Sequence, residues 1–146
     1  MRKLLACSVM ALAMAAPAAA SPIINGDFEA NIGLVPPNWS VFVTIPGWTT
    51  VAGPGIEVEA DTVVTAHSGT QYVELDSYSN SGMSQTVALT PGEYLLSFWY
   101  QPRTSEPGDN GIEAFFDAAP TSLGTMVAFV STTDPPQNYW AQYRFR

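Results

Sequence analysis

Basic side chains are almost missing from this sequence. Lys3 is the last lysine, and beyond residue 20 only Arg103, Arg144 and Arg146 stand against 13 carboxylates, a net charge of −10 for that part. A surface of that sign repels phosphate backbones and anionic lipid, which leaves nucleic acid and the membrane as poor partners. Calcium, neutral sugars and basic surfaces remain compatible with it. Cysteine is limited to Cys7 and histidine to His67. One histidine cannot supply a zinc cluster, and a thiol confined to the first twenty residues leaves the rest with no disulfide and no cysteine nucleophile. Long apolar runs are missing after Ala16, as is any sustained helical period, and 12 prolines with 11 glycines leave little room for a helix.

The first twenty residues read as a secretory signal peptide. Arg2 and Lys3 make a basic start, Leu4 to Ala16 an apolar run, and Pro17-Ala18-Ala19-Ala20 a small-residue cleavage site. The run is too short and wrongly flanked for a membrane span. Cleavage is expected after Ala20, with the product secreted: extracellular, periplasmic or bound at the cell surface. Export without disulfides fits a bacterial source better than an animal one. Residues 21–146 are then enough for one domain with one core.

Period-two patterning dominates that domain, and side chains alternate across a strand. In Gln71–Ser77, Val73 and Leu75 oppose Tyr72, Glu74 and Asp76. In Met83–Leu89, Met83, Val87 and Leu89 share a face with Gln85, whose amide is therefore expected to be hydrogen-bonded. Tyr94–Tyr100 is apolar on both faces, the pattern of a central, covered strand. Thr90-Pro91-Gly92 before it has the composition of a type II turn. Further strands are expected over Trp39–Thr44, Ile56–Glu59, Thr62–Thr65, Gly111–Asp117, Thr125–Ser131 and Tyr139–Phe145, with Pro/Gly turns between and a polar loop over Glu106–Asn110. Short strands at this spacing predict an all-β antiparallel sandwich.

Catalytic chemistry finds few candidates. Glu57/Glu59 and Glu74/Asp76 are carboxylates two apart on strands and so point the same way, as an acid and base would. The solvated face of a sheet looks the same in sequence and is the preferred reading. His67 beside Ser68 makes no triad and reads as a polar loop residue. Sugar binding would use an aromatic face with a few polar neighbours. Trp99 fits if its strand lines a groove, with Tyr72, Glu74, Asp76 and Arg103 around it; the plainer role of Arg103 is an ion pair with a nearby acid. Trp48, held after a Pro-Gly turn, reads as core.

An ordered set of short segments carries a resemblance. Asn25-Gly-Asp-Phe-Glu29, Ile45-Pro-Gly-Trp48, Gly55-Ile-Glu57, Ser68-Gly-Thr-Gln-Tyr-Val-Glu-Leu-Asp76, Met83-Ser-Gln85, Pro91-Gly-Glu-Tyr94, Phe98-Trp-Tyr100, Arg103 and Asn110-Gly-Ile-Glu113 follow one another across Ile23 to Phe145. Together they resemble bacterial secreted galactose-binding-like jelly rolls, similar to the plant cell-wall domain-of-unknown-function family 642 and to carbohydrate-binding modules that open with N-x-x-F-E. The resemblance implies a structural calcium at the opening segment, with Glu29 as ligand and Asn25 and Asp27 as lesser ones. It also implies closing strands and, in many bacterial members, a Pro-Glu-Pro sorting tail beyond Arg146. The domain is thus expected to be C-terminally incomplete, with an open sheet edge prone to self-association. The function expected is non-catalytic binding of an extracellular polysaccharide or glycan. The alternative is a structural, matrix or protein-interaction domain with no sugar ligand.

Overall fold

The computed structural model describes residues 21–30, 33–104, 110–116, 125–131 and 139–146. The expected signal peptide, Glu106 to Asp109, Asp117 and the Asp134-Pro135-Pro136 break lie outside them. The described residues form ten strands and no helix: β1 (Asn38–Phe42), β2 (Thr44–Ile45), β3 (Trp48–Ala52), β4 (Ile56–Ala60), β5 (Gln71–Glu74), β6 (Gly82–Ser84), β7 (Leu96–Tyr100), β8 (Gly111–Phe116), β9 (Thr125–Ser131) and β10 (Ala141–Phe145). They assemble into four small antiparallel sheets, ordered β1-β4-β5, β2-β3-β6, β10-β7 and β8-β9. The chain is all-β, as its patterning predicts.

One core joins the two three-stranded sheets. Ile56 and Val58 of β4 meet Ile45 of β2, and Phe42, Trp48, Val73 and Met83 pack around them. Ile56 and Val58 are wholly buried, each contributing roughly 1.5–3 kcal/mol by leaving water. The β2–β3 turn explains how Trp48 reaches that core. Pro46 presets φ, Gly47 takes a φ of 83°, and Ile45 pairs directly with Trp48. The opening segment then docks on the turn. Trp48 Nε1 donates to the Asn25 carbonyl at 3.1 Å, and the Phe28 and Trp48 rings lie 6.0 Å apart.

Gln85 behaves as its apolar-side position demands. Its Oε1 accepts from the Ile24 N–H at 2.7 Å, and its Nε2 donates to the carbonyls of Ile24 (2.8 Å) and Gly47 (2.7 Å). The amide replaces sheet bonds that the opening segment would otherwise lack.

Several expectations need correction. The strand expected over Met83–Leu89 stops at Ser84, because beyond it the side chain of Gln85, not its backbone, makes the connection. The β-branched run over Thr62–Thr65 forms bends instead of a strand. Thr62 Oγ1 turns back to the Asn38 carbonyl at 2.7 Å, and the Tyr72 hydroxyl takes the N–H groups of Val63 and Val64. Gly92 has no positive φ, so the type II turn expected there does not form. The covered strand is also a different one. β7 pairs only with β10 among the described strands and is half-exposed, whereas β4 lies between β1 and β5 and is buried at every residue.

Candidate functional site

The two faces of β4 have opposite chemistry. Ile56, Val58 and Ala60 point into the core, so Glu57 and Glu59 share the other face. Register places Glu57 opposite Val41 and Glu74, and Glu59 opposite Trp39 and Tyr72. The preferred reading of Glu57 and Glu59 as a solvated face is overturned: they are only 5% and 2% exposed. The segment after β7 and the one before β10 lie over them, with Arg103 paired to Glu74 and the Trp140 ring meeting Tyr72 edge-on at 5.8 Å.

Glu57, Glu59 and Glu74 thus converge, with one carboxylate oxygen of each within 4.8 Å of the others. This buried acidic triad can hold a metal ion. Glu59 is pushed up to about 7, by burial first, then by the Glu57 carboxyl, while the nearby Thr62 side chain opposes the shift. Burial also raises Glu74, outweighing the guanidinium of Arg103 that holds it down. A carboxyl near neutrality beside a second carboxylate has the proton affinity of a general acid. Among the described residues the Glu57 and Glu59 side chains are both buried, and neither lines the depression beside them.

A cleft does open nearby. Val64, Thr65, Ala66 and His67 from the loop before β5, Gln101 after β7, and Tyr139 and Trp140 before β10 line an open depression of about 550 Å³. Of its lining rings, His67 meets Trp140 edge-on at 6.3 Å and also stacks, at 3.9 Å, on Trp99 beside the space. The Trp140 indole N–H donates to the Thr65 carbonyl at 2.9 Å, which fixes the ring against the loop. Tyr72 supports the same loop from below, accepting from the N–H groups of Val63 at 3.2 Å and Val64 at 3.1 Å, and burial pushes its phenol pKa up. Trp99 keeps 43% of its surface open and Tyr139 keeps 50%.

The residues expected at a sugar site are therefore divided. Tyr72 and Trp99 belong to one aromatic cluster through Trp140 and His67. Glu74 and Arg103 form an ion pair beside it, and the Asn110 side chain holds that end of the chain by accepting from the N–H groups of Arg103 and Thr104, both at 3.0 Å. Asp76 is elsewhere, in an isolated bridge with Asn80. His67, Gln101, Tyr139 and Trp140 escape a reading by strand period, because segments before β5 and β10 and after β7 bring them together. Four aromatic or imidazole rings unclaimed by the core were the available signal.

The calcium candidates of the opening segment are engaged in bonds of their own. Glu29 Oε1 accepts from the N–H groups of Thr70 (2.8 Å) and Gln71 (2.6 Å), and its Oε2 takes the Thr70 hydroxyl at 3.2 Å. Asn25 Oδ1 accepts from the Ala30 N–H at 2.9 Å, and Asp27 Oδ1 from the Glu29 N–H at 3.3 Å. Among the described residues the acidic group close enough to share an ion is the β4–β5 triad. Comparison with family models, with curated proteins and with solved structures found no match to this chain.

Proposed function

We propose that this protein is a secreted, non-catalytic glycan-binding domain of the galactose-binding-like jelly-roll kind. The observation that carries the reading is an aromatic depression: His67, exposed Tyr139 and Trp140 line a space that also presents Gln101 and Thr65, and the exposed Trp99 ring stacks on His67 beside it. Sugar rings offer apolar C–H faces to aromatic side chains, and their hydroxyls need a few amides or hydroxyls at the rim. A net charge of −10 beyond residue 20 disfavours acidic polysaccharides, so the ligand class is a neutral glycan. The resemblance of the opening segment also implies calcium at Glu29, Asn25 and Asp27, but side-chain oxygens of all three already accept hydrogen bonds, so the glycan reading does not depend on an ion there.

The test is a glycan-array screen of residues 21–146 with and without calcium, followed by affinity electrophoresis on the best neutral polysaccharide. Trp99→Ala is expected to weaken retention at least about tenfold, equivalent to about 1.4 kcal/mol, without a change in fold. Absence of any glycan signal, or full retention by the variant, would sink the reading and favour a domain that contacts proteins.

A further inference from the structure

We infer that Glu57, Glu59 and Glu74 form a buried divalent-cation site suited to calcium, distinct from the opening segment. The β4–β5 register builds it. Glu57 and Glu74 are direct cross-strand partners, and Glu59 follows Glu57 on the same face, so three carboxylates are delivered to one place by backbone pairing. Ligand oxygens around one calcium sit about 2.3–2.6 Å from it, which lets two of them lie up to about 5 Å apart. The triad's oxygens fall within that limit.

Charge and satisfaction both leave the cluster unfinished as protein alone. Arg103 pairs with Glu74, a single basic group beside three carboxyl groups. Independently, Glu59 Oε2 is buried and accepts no hydrogen bond among the described residues, although Glu59 is only 2% exposed. Buried carboxylate oxygens are ordinarily paired, hydrogen-bonded or bound to metal. A cation between the three side chains would meet that need.

The donor set selects the ion. All three donors are hard carboxylate oxygens with no nitrogen or sulfur, which excludes a preference for zinc or copper. Magnesium holds its waters and favours octahedral geometry, which a buried cluster serves poorly, while calcium accepts bidentate carboxylates in irregular arrangements. Glu74 has 14% of its side chain exposed and marks the side from which an ion enters, beside Arg103. The inference does not depend on glycan binding, since none of the three glutamates lines the cleft.

Calorimetric titration of chelator-treated protein with calcium chloride, and separately with magnesium chloride, tests the site. One calcium per chain is expected, with weaker magnesium binding and a higher melting temperature in millimolar calcium. Glu59→Gln should lower calcium affinity at least about tenfold, whereas Glu29→Gln should leave it unchanged. No binding by the unaltered protein, or binding lost in Glu29→Gln and kept in Glu59→Gln, overturns the assignment. Terbium luminescence of the unaltered protein supplies a readout that needs no variant. A buried site should leave about two or fewer waters on the ion, and a nearly fully hydrated ion would place binding on the acidic surface and overturn the proposal.

Discussion

Strands β4 and β7 invert what their compositions suggest. Ile56-Glu-Val-Glu-Ala60 carries two carboxylates and is buried throughout; Leu96-Ser-Phe-Trp-Tyr100 carries four large apolar residues and is half-open. The difference is in their neighbours. β4 has a strand on each side, a shared core on one face, and Arg103 and Trp140 across the other. β7 has one described partner, so its rings satisfy themselves along that pair: Phe98 stacks with Tyr143 at 6.0 Å and with Phe145 at 5.8 Å. Alternation reports which side chains share a face. It does not report what covers that face.

The largest expected effect tests this contrast in the core. Ile56→Ala removes a fully buried side chain from the contact between the two three-stranded sheets and should cost about 2–5 kcal/mol. Leu96→Ala on half-exposed β7 should cost under about 2 kcal/mol, because less area and less cavity are involved. Urea denaturation of both variants measures the two costs. Equal losses would mean that β7 is as firmly covered as β4.

Much of the fold was legible in the sequence. The strands at Ile56, Gln71, Leu96, Gly111, Thr125 and Ala141 follow from period two, and the all-β class from Pro, Gly and the missing helical period. Gln85 was legible because a polar residue on an apolar face must find partners. The acidic site was not. Glu57 and Glu59 on one strand and Glu74 on another look like ordinary solvated alternation until β5 is placed against β4 and Arg103 against Glu74. The cleft was legible only in part. Trp99 was a candidate for a groove-facing aromatic, but its stacking partner His67 lies on a loop whose position depends on the Tyr72 hydroxyl.

A second effect, intermediate in size, comes from Glu59. Its folded carboxyl titrates at about 7, above its ordinary value of 4.5, because burial penalises the charge. The folded state therefore holds the proton more tightly than the unfolded state does. The associated stability is fully present below about pH 4.5 and is lost as pH rises through about 7. Chelator-treated protein should accordingly melt at a lower temperature at pH 8 than at pH 5. Glu59→Gln should flatten that dependence and stabilise the metal-free protein at pH 8 by about 1–3 kcal/mol, since it removes the buried charge and keeps the shape. A melting temperature that climbs from pH 5 to pH 8 would contradict the burial of Glu59.

The smallest effect belongs to the ion pair at the margin between the two regions. Arg103 leaves half its side chain in water and Glu74 only 14%, so the pair has one solvated partner and one mostly buried partner. Solvent screens the guanidinium, which limits the coupling to about 1 kcal/mol or less. The acid is in a different position, because burial already raises Glu74 and Arg103 is what draws it down. Removing the arginine should therefore show itself less in stability than in the protonation of Glu74. In a double-mutant cycle of Arg103→Met and Glu74→Gln, a coupling of about 1 kcal/mol or less at neutral pH is expected, shrinking as pH falls and Glu74 takes up its proton. Arg144 provides the reference: it donates to Gln142 Oε1 at 3.0 and 2.7 Å on exposed β10, and Arg144→Met should change stability by no more than about 0.5 kcal/mol. A coupling for Arg103 and Glu74 of several kcal/mol would mean that the guanidinium is buried with the acid, and that the covered face of β4 extends past Glu74 to the outer edge of the sheet.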